Sequence, residues 1–242
     1  MTVIVHKIFN GAILYDNTVI SDVRADLFVP DSWTEVNSIP KTIGGRGQVF
    51  FVGDSQGKFV MRHFVRGGMA AKFSYDAYIW TGKWRTRSFE EWRLIRKLLT
   101  FNLPVPVPVA AHFIKKGMFY TADIITQEIP TVKSLASYVI TGNIFENFWK
   151  KVGAHIYKFH NVGLCHADLN AYNILIDEDT NMWLIDFDKS KILSPGGGWR
   201  HDNLKRLKRS LKKICNEKSS TNFKPSDWLE LLDGYSHASR SL

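Results

Sequence analysis

The chain is expected to adopt an α+β fold of two lobes, an antiparallel β-rich N-terminal lobe and a mainly helical C-terminal lobe. Three observations carry this expectation. Short β-favouring runs broken by glycine and polar turns recur from Val49 to Ile125. Leu103-Pro104-Val105-Pro106-Val107-Pro108 reads as an extended connector, because proline is excluded from helix interiors and central strands. Beyond Phe145 the apolar residues change to helical spacing. We place the lobes at 1–128 and 129–242 within a single 1–242 domain, with Gln127-Glu128-Ile129-Pro130 as the hinge.

In chain order, Ile43 to Val52 combines a glycine cluster with a β-type run. Asp54 to Gly57 reads as a turn, and Lys58 to Val65 as the next strand. A helix is predicted from Ser88 to Leu99. Within it Glu91 precedes Ile95 by four residues and Leu98 by seven, so its carboxylate faces partly inward. A buried acid requires a partner. Arg62 is favoured over the competing arrangement, a capping box between Ser88 and Glu91. Val109 to Ile114 and Met118 to Ile125 form a hairpin pattern around Lys115-Lys116-Gly117. Phe145, Phe148, Trp149, Val152, Ile156 and Phe159 define one buried helix, and Trp199 to Asn216 a basic one.

The most informative stretch runs from His166 to Leu175 and on to Leu184-Ile185-Asp186-Phe187-Asp188. Asn173 to Ile176 and Met182 to Ile185 are apolar runs around the turn Asp177 to Asn181. Asp168 therefore lies just before one strand and Asp186 just after its partner. Mg²⁺ takes hard oxygen ligands, few of them from protein. Asn173 and Asp186 offer an amide oxygen and a carboxylate. Asp168 remains to accept the proton of an acceptor hydroxyl and orient it for in-line attack on a nucleotide phosphate. His166 reads as a support of the loop backbone. Each residue alone would suit a simple turn; their joint spacing points to phosphoryl transfer.

This segment resembles the catalytic loop and metal-binding strand end of the protein-kinase-like superfamily, with its H-x-D-x-x-x-x-N and D-F motifs. Two departures stand out. Asp188 occupies the place of the glycine after D-F, which disfavours a large flip of the segment. Asn170 replaces a lysine, which argues against a conventional Ser/Thr kinase. The resemblance gives the first lobe its expected parts. Gly44, Gly45 and Gly47 would cover nucleotide phosphates, although the cluster is not a full G-x-G-x-x-G. Arg62, anchored by Glu91, would neutralise them in place of a strand lysine. The hinge backbone would meet adenine. The implied cofactors are ATP and Mg²⁺.

At 242 residues, 27.8 kDa and 45% hydrophobic content, the chain can bury a sizeable core. The net charge of +9 and pI near 9.5 call for an anionic partner. Seven cations on the basic helix (Arg200, Lys205, Arg206, Lys208, Arg209, Lys212 and Lys213) suit a phosphate-bearing membrane surface. No recognition motif supports nucleic acid. Trp80, Trp84, Tyr75 and Tyr78 suit either local packing or contact with sugar or lipid. Two cysteines, Cys165 and Cys215, make no disulfide framework. With no transmembrane run or secretory signal read, a cytosolic location with peripheral membrane contact is expected.

A narrower resemblance spans nearly the whole chain. Arg62 to Gly68, Arg87 to Glu91, Leu103 to Pro106, the HADLNAYNIL run and Asn203 to Leu211 together are similar to bacterial 3-deoxy-D-manno-octulosonic acid (Kdo) kinases. The resemblance implies ATP-dependent phosphorylation of the Kdo 4-hydroxyl on a lipid A precursor, at the cytoplasmic face of the inner membrane. Alternatives are a lipopolysaccharide core heptose kinase, a small atypical protein kinase, and a catalytically dead membrane-binding pseudokinase. Retention of Asp168, Asn173 and Asp186 argues against the last.

Overall fold

The computed structural model describes residues 3–21, 23–24, 26–40, 48–66, 76–194, 197–218 and 222–240. The chain divides into two compact units, 1–97 with 106–129, and 98–105 with 130–242.

The first unit is built on an antiparallel sheet. Its strands are β1 (Val3–Ile8), β2 (Gly11–Asp16), β3 (Glu35–Pro40), β4 (Gln48–Asp54), β5 (Gly57–His63), β6 (Tyr78–Ile79), β7 (Pro108–Lys116) and β8 (Phe119–Gln127). The order is β1-β2-β7-β8-β5-β4-β3, with β6 added to β8. The β1–β2 hairpin was not anticipated. Its two-residue turn is Phe9-Asn10, with Asn10 at φ 57°, a left-handed conformation that asparagine tolerates.

Strand alternation gives the sheet two different faces. Phe59, Met61, Val52 and Ile125 join Ile20, Leu27 and Trp33 from the segment after β2 in one buried cluster. The indole of Trp33 closes that segment by donating to the Leu27 carbonyl oxygen at 3.0 Å. The opposite face receives helix α1 (Arg87–Thr100), where Phe89 meets Phe113 edge-on at 5.3 Å. Because Met61 points to the first cluster, its neighbour Arg62 points to α1. There its Nη2 lies 2.6 Å from Oε2 of Glu91. Glu91 is therefore inward and ion-paired. Ser88 makes no capping box, since its hydroxyl donates to the His112 carbonyl oxygen at 2.8 Å. A second pair, Arg96 with buried Asp16 at 2.6 Å, fastens α1 to the end of β2.

The aromatic residues near β6 pack on one another. Tyr78 lies against Tyr120, Trp80 against Phe113 and Trp84 against Phe89. Tyr75 lies outside the described residues.

The second unit is mainly helical: α2 (Leu135–Thr141), α3 (Phe148–Asn161), α4 (Trp199–Lys218) and α5 (Pro225–Arg240). Ser134 caps α2 by accepting from the Ser137 N–H, and Gly142 ends it at φ 74°. Helix α3 starts after Phe145, whose ring instead packs edge-on against Phe148 at 4.8 Å. The predicted stripe is buried from Phe148 onward. Gly153 of α3 and Gly234 of α5 let these two helices touch backbone to backbone. Short strands β9 (Lys133–Ser134), β11 (Ile174–Ile176) and β12 (Met182–Leu184) form one small sheet. A second consists of β10 (Leu164–Cys165) and β13 (Lys191–Ile192).

Candidate active site

The loop from His166 to Asn173 joins β10 to β11, and the β11–β12 hairpin returns the chain beside it. Ile174 pairs with Leu184, and the Ile185 N–H donates to the Asn173 carbonyl oxygen at 3.0 Å. Asn173 and Asp186 are thereby brought alongside each other. The Asn173 side-chain amide donates from Nδ2 to the Asp168 carbonyl oxygen at 3.0 Å. Its Oδ1 is then the atom it can offer a cation. The hairpin thus sets the backbone of Asp186 beside Asn173, whose side chain is bonded to the Asp168 backbone.

The loop is held by side chains on its backbone. Asn203 of α4, only 4% exposed, clamps His166 twice. Its Oδ1 accepts the His166 N–H at 3.0 Å, and its Nδ2 donates to the His166 carbonyl oxygen at 2.9 Å. The Ser190 hydroxyl accepts the Ala167 N–H at 3.0 Å, and the Ser210 hydroxyl accepts the Ala171 N–H at 3.1 Å. Asn170 accepts the Tyr172 N–H and donates from Nδ2 to both the carbonyl oxygen and Oδ2 of Asp168, each at 3.1 Å. A buried backbone group without a partner is costly, so these bonds define the loop's conformation.

The ring of His166 has one consistent tautomer. Nδ1 accepts the Asp168 N–H at 3.1 Å, so Nε2 carries the proton and donates to the Ile185 carbonyl oxygen at 3.1 Å. Burial keeps the imidazole neutral and pushes its pKa down. His166 therefore supports the loop, as the sequence suggested. Burial also pushes the Cys165 thiol up, away from nucleophilic use.

Asp186 is at φ 65°, in the left-handed region that aspartate tolerates better than most residues. Phe187, 1% exposed, packs 5.3 Å from the His166 ring. Positive φ falls on Asp186 and Lys189 but not on Asp188, which accounts for the absence of glycine at that position. Among the described residues no three His, Cys, Asp or Glu side chains converge as a metal cage. One amide and one carboxylate suit a hard cation whose remaining ligands are phosphate and water oxygens.

In the first unit Arg62 and Glu91 are together, with the guanidinium also over the Phe64 ring at 4.4 Å. Gly44, Gly45 and Gly47 lie outside the described residues.

The sequence reading gave no loop-holding role to Asn203, Ser190 or Ser210. Asn203 left a trace: it precedes Leu207, Leu211 and Ile214 by four, eight and eleven residues, so an amide stands on the buried face of the helix. The serines left none, because their roles depend on which backbone lies opposite them. Of the basic-helix cations, Lys205, Arg206, Arg209, Lys212 and Lys213 are exposed. Arg200 donates to the His160 carbonyl oxygen at 3.0 Å, and Lys208 lies over the Trp228 ring at 5.0 Å. No described helix is long and apolar enough to cross a membrane.

A strand-rich unit with a buried Arg–Glu pair, and a helical unit with an acid, an amide and a further acid around a strand hairpin, define the class: a kinase-like phosphotransferase. The chain belongs to the lipopolysaccharide kinase (Kdo/WaaP) family, whose model matches residues 31–235. It is 44% identical over 228 residues to a 3-deoxy-D-manno-octulosonic acid kinase of Stenotrophomonas maltophilia (strain R551-3), covering 94% of this chain and 90% of the relative. It is 46% identical over 209 residues to a protein of that name from Xylella fastidiosa (strain M12), covering 86% and 83%. The corresponding Xanthomonas axonopodis pv. citri protein is 44% identical over 210 residues, covering 86% and 83%.

Proposed function

We propose that the protein is an ATP-dependent Kdo kinase of lipopolysaccharide biosynthesis, phosphorylating the 4-hydroxyl of Kdo on a lipid A precursor. The constellation of Asp168, Asn173 and Asp186 on a pinned loop carries the reaction class. The relatives' names carry the sugar.

Asp168 projects from the loop with its side chain 64% exposed, open to an incoming alcohol. It aligns the hydroxyl and takes its proton late in a loose transition state. The acceptor oxygen forms its bond to the γ-phosphorus. The bond from phosphorus to the bridging oxygen breaks, and its electron pair leaves with ADP. Asn173 Oδ1 and the Asp186 carboxylate are the ligands we assign to Mg²⁺, which would offset charge on the nucleotide phosphates. Arg62, positioned by Glu91, is assigned to nucleotide phosphate in the first unit.

We place the protein at the cytoplasmic face of the inner membrane. The exposed cations of α4 and the +9 charge support attraction to anionic lipid and to the substrate's carboxylate and phosphates.

The deciding assay follows label from γ-labelled ATP into Kdo-bearing glycolipid, heptose-bearing lipid and a generic protein. Transfer to the first alone supports the proposal, and transfer to either of the others replaces it. Sedimentation with anionic vesicles should weaken as salt rises; salt-insensitive binding would remove the electrostatic docking.

A further inference from the structure

The geometry points to Arg206 as a second catalytic residue, a cation that meets the phosphoryl group in transit from ATP to the acceptor. This rests on the phosphotransferase reading above but not on the identity of the sugar.

The loop from His166 to Asn173 contains no lysine or arginine. Its side chain nearest the Asp168 carboxylate is the neutral amide of Asn170. The transferring group spreads negative charge over three equatorial oxygens, and a positioned cation there is a large source of rate. The cation in this structure comes from α4, where Nη1 of Arg206 lies 3.9 Å from Oδ1 of Asp168.

Its placement follows from helix periodicity. Asn203, Arg206 and Ser210 stand at i, i+3 and i+7, on one stripe of α4. The outer two are bonded to loop backbone on either side of Asp168, at His166 and Ala171. The middle member is therefore carried to Asp168 itself. Arg206 is distinguished by this from the cations of α4 that simply face solvent.

The direct contact is not the purpose of the pair. Both side chains are substantially exposed, 45% and 64%, and an ion pair in water at that distance is weak. The guanidinium is thus free to turn to a stronger anion. Its planar fork fits two phosphate oxygens at once. As the acceptor oxygen bonds to phosphorus and ADP departs, Asp168 holds the hydroxyl proton and Arg206 donates to the equatorial oxygens.

The test compares Arg206→Gln, Arg206→Lys and the double variant Arg206→Gln with Asn170→Lys. Arg206→Gln should lower kcat about 100-fold or more, with the acceptor KM and the thermal midpoint unchanged. Arg206→Lys should keep part of the rate. Asn170 Nδ2 is already 3.1 Å from Asp168 Oδ2, so a lysine at 170 can deliver a charge to the same place. The double variant should recover about tenfold or more of the lost rate. Three results would overturn the proposal: an unchanged kcat, a loss confined to the acceptor KM, or a loss that tracks unfolding. Should the wild type phosphorylate none of the acceptors, the function proposed above fails by itself. Arg206 is then judged on ATP hydrolysis by water, where a drop in kcat supports its role and no change overturns it.

Discussion

Nε2 of His166 donates to the carbonyl oxygen of Ile185 at 3.1 Å, while Nδ1 of the same ring accepts the backbone N–H of Asp168. One buried imidazole thus sets the distance between the loop that carries Asp168 and the strand end that carries Asp186. His166→Ala should lower turnover about 10- to 100-fold and raise the Mg²⁺ concentration needed for half-maximal rate. A magnesium titration of the rate checks this. An unaltered magnesium requirement would show that the ring does not govern Asp186.

Asp168 and Asp186 should separate by phenotype. Asp168→Ala is expected to cost about 10²- to 10⁴-fold in turnover while nucleotide affinity is kept. Asp186→Ala should lose turnover together with the Mg²⁺-dependent part of nucleotide affinity. Calorimetric titration of ATP with and without Mg²⁺ distinguishes them, and equal loss of binding in both variants would refute the division of labour.

Glu91 is 3% exposed and meets Arg62 at 2.6 Å. Glu91→Ala should destabilise the protein by about 3 kcal/mol, because one member of a buried pair is removed. It should also raise the KM for ATP more than it lowers kcat. Urea unfolding and an ATP titration measure the two effects. A variant that is less stable yet has the wild-type KM would confine the pair to a structural role.

The contact between α3 and α5 depends on two glycines. A Cβ at Gly153 would stand 2.0 Å from the Leu231 carbonyl oxygen, and one at Gly234 would stand 2.1 Å from that of Lys150. Either change to alanine forces the helices apart and should cost about 1–3 kcal/mol. The thermal midpoint is the readout, and a variant as stable as wild type would mean the contact is looser than this.

Stability should fall in acid before most carboxylates titrate. Burial lowers His155 to about 3 and His160 to about 4, and lowers His166 as well. Their unfolded forms take up protons below about 6.5. Between that value and the folded ones the unfolded chain binds more protons. Each histidine then removes up to about 1.4 kcal/mol per pH unit as pH falls. His63 works in the opposite direction: its hydrogen bond to Asp123 raises its pKa, so its contribution is complete below about 6.5 and is lost as pH rises through the folded value. Urea midpoints from pH 5 to pH 8 should show both arms, with the acid arm shallower in His155→Leu. An acid arm of equal slope in that variant would rule His155 out as a contributor.

The strand runs, the β11–β12 hairpin, α1, α3 and α4 were legible in the sequence, because each follows from a local period of two or 3.6 residues and from turn chemistry. The backbone proximity of Asn173 and Asp186 was legible for a related reason: the hairpin between them converts spacing along the chain into nearness. The inward carboxylate of Glu91 could be read from helical phase, since a buried acid demands a cation, and the phase of β5 turned Arg62 toward it. The β1–β2 hairpin was equally local, with Asn10 at its turn.

What only the tertiary structure decided is which backbone each polar side chain meets across distant segments. Asn203 seizes His166 from 37 residues away, and Ser210 reaches Ala171 from 39. Arg206 comes to Asp168 only because those two bonds set the rotation and height of α4 against the loop. Periodicity states which side of a helix is buried. The partner of each group on that side is selected by packing, where every buried donor and acceptor must be satisfied at once.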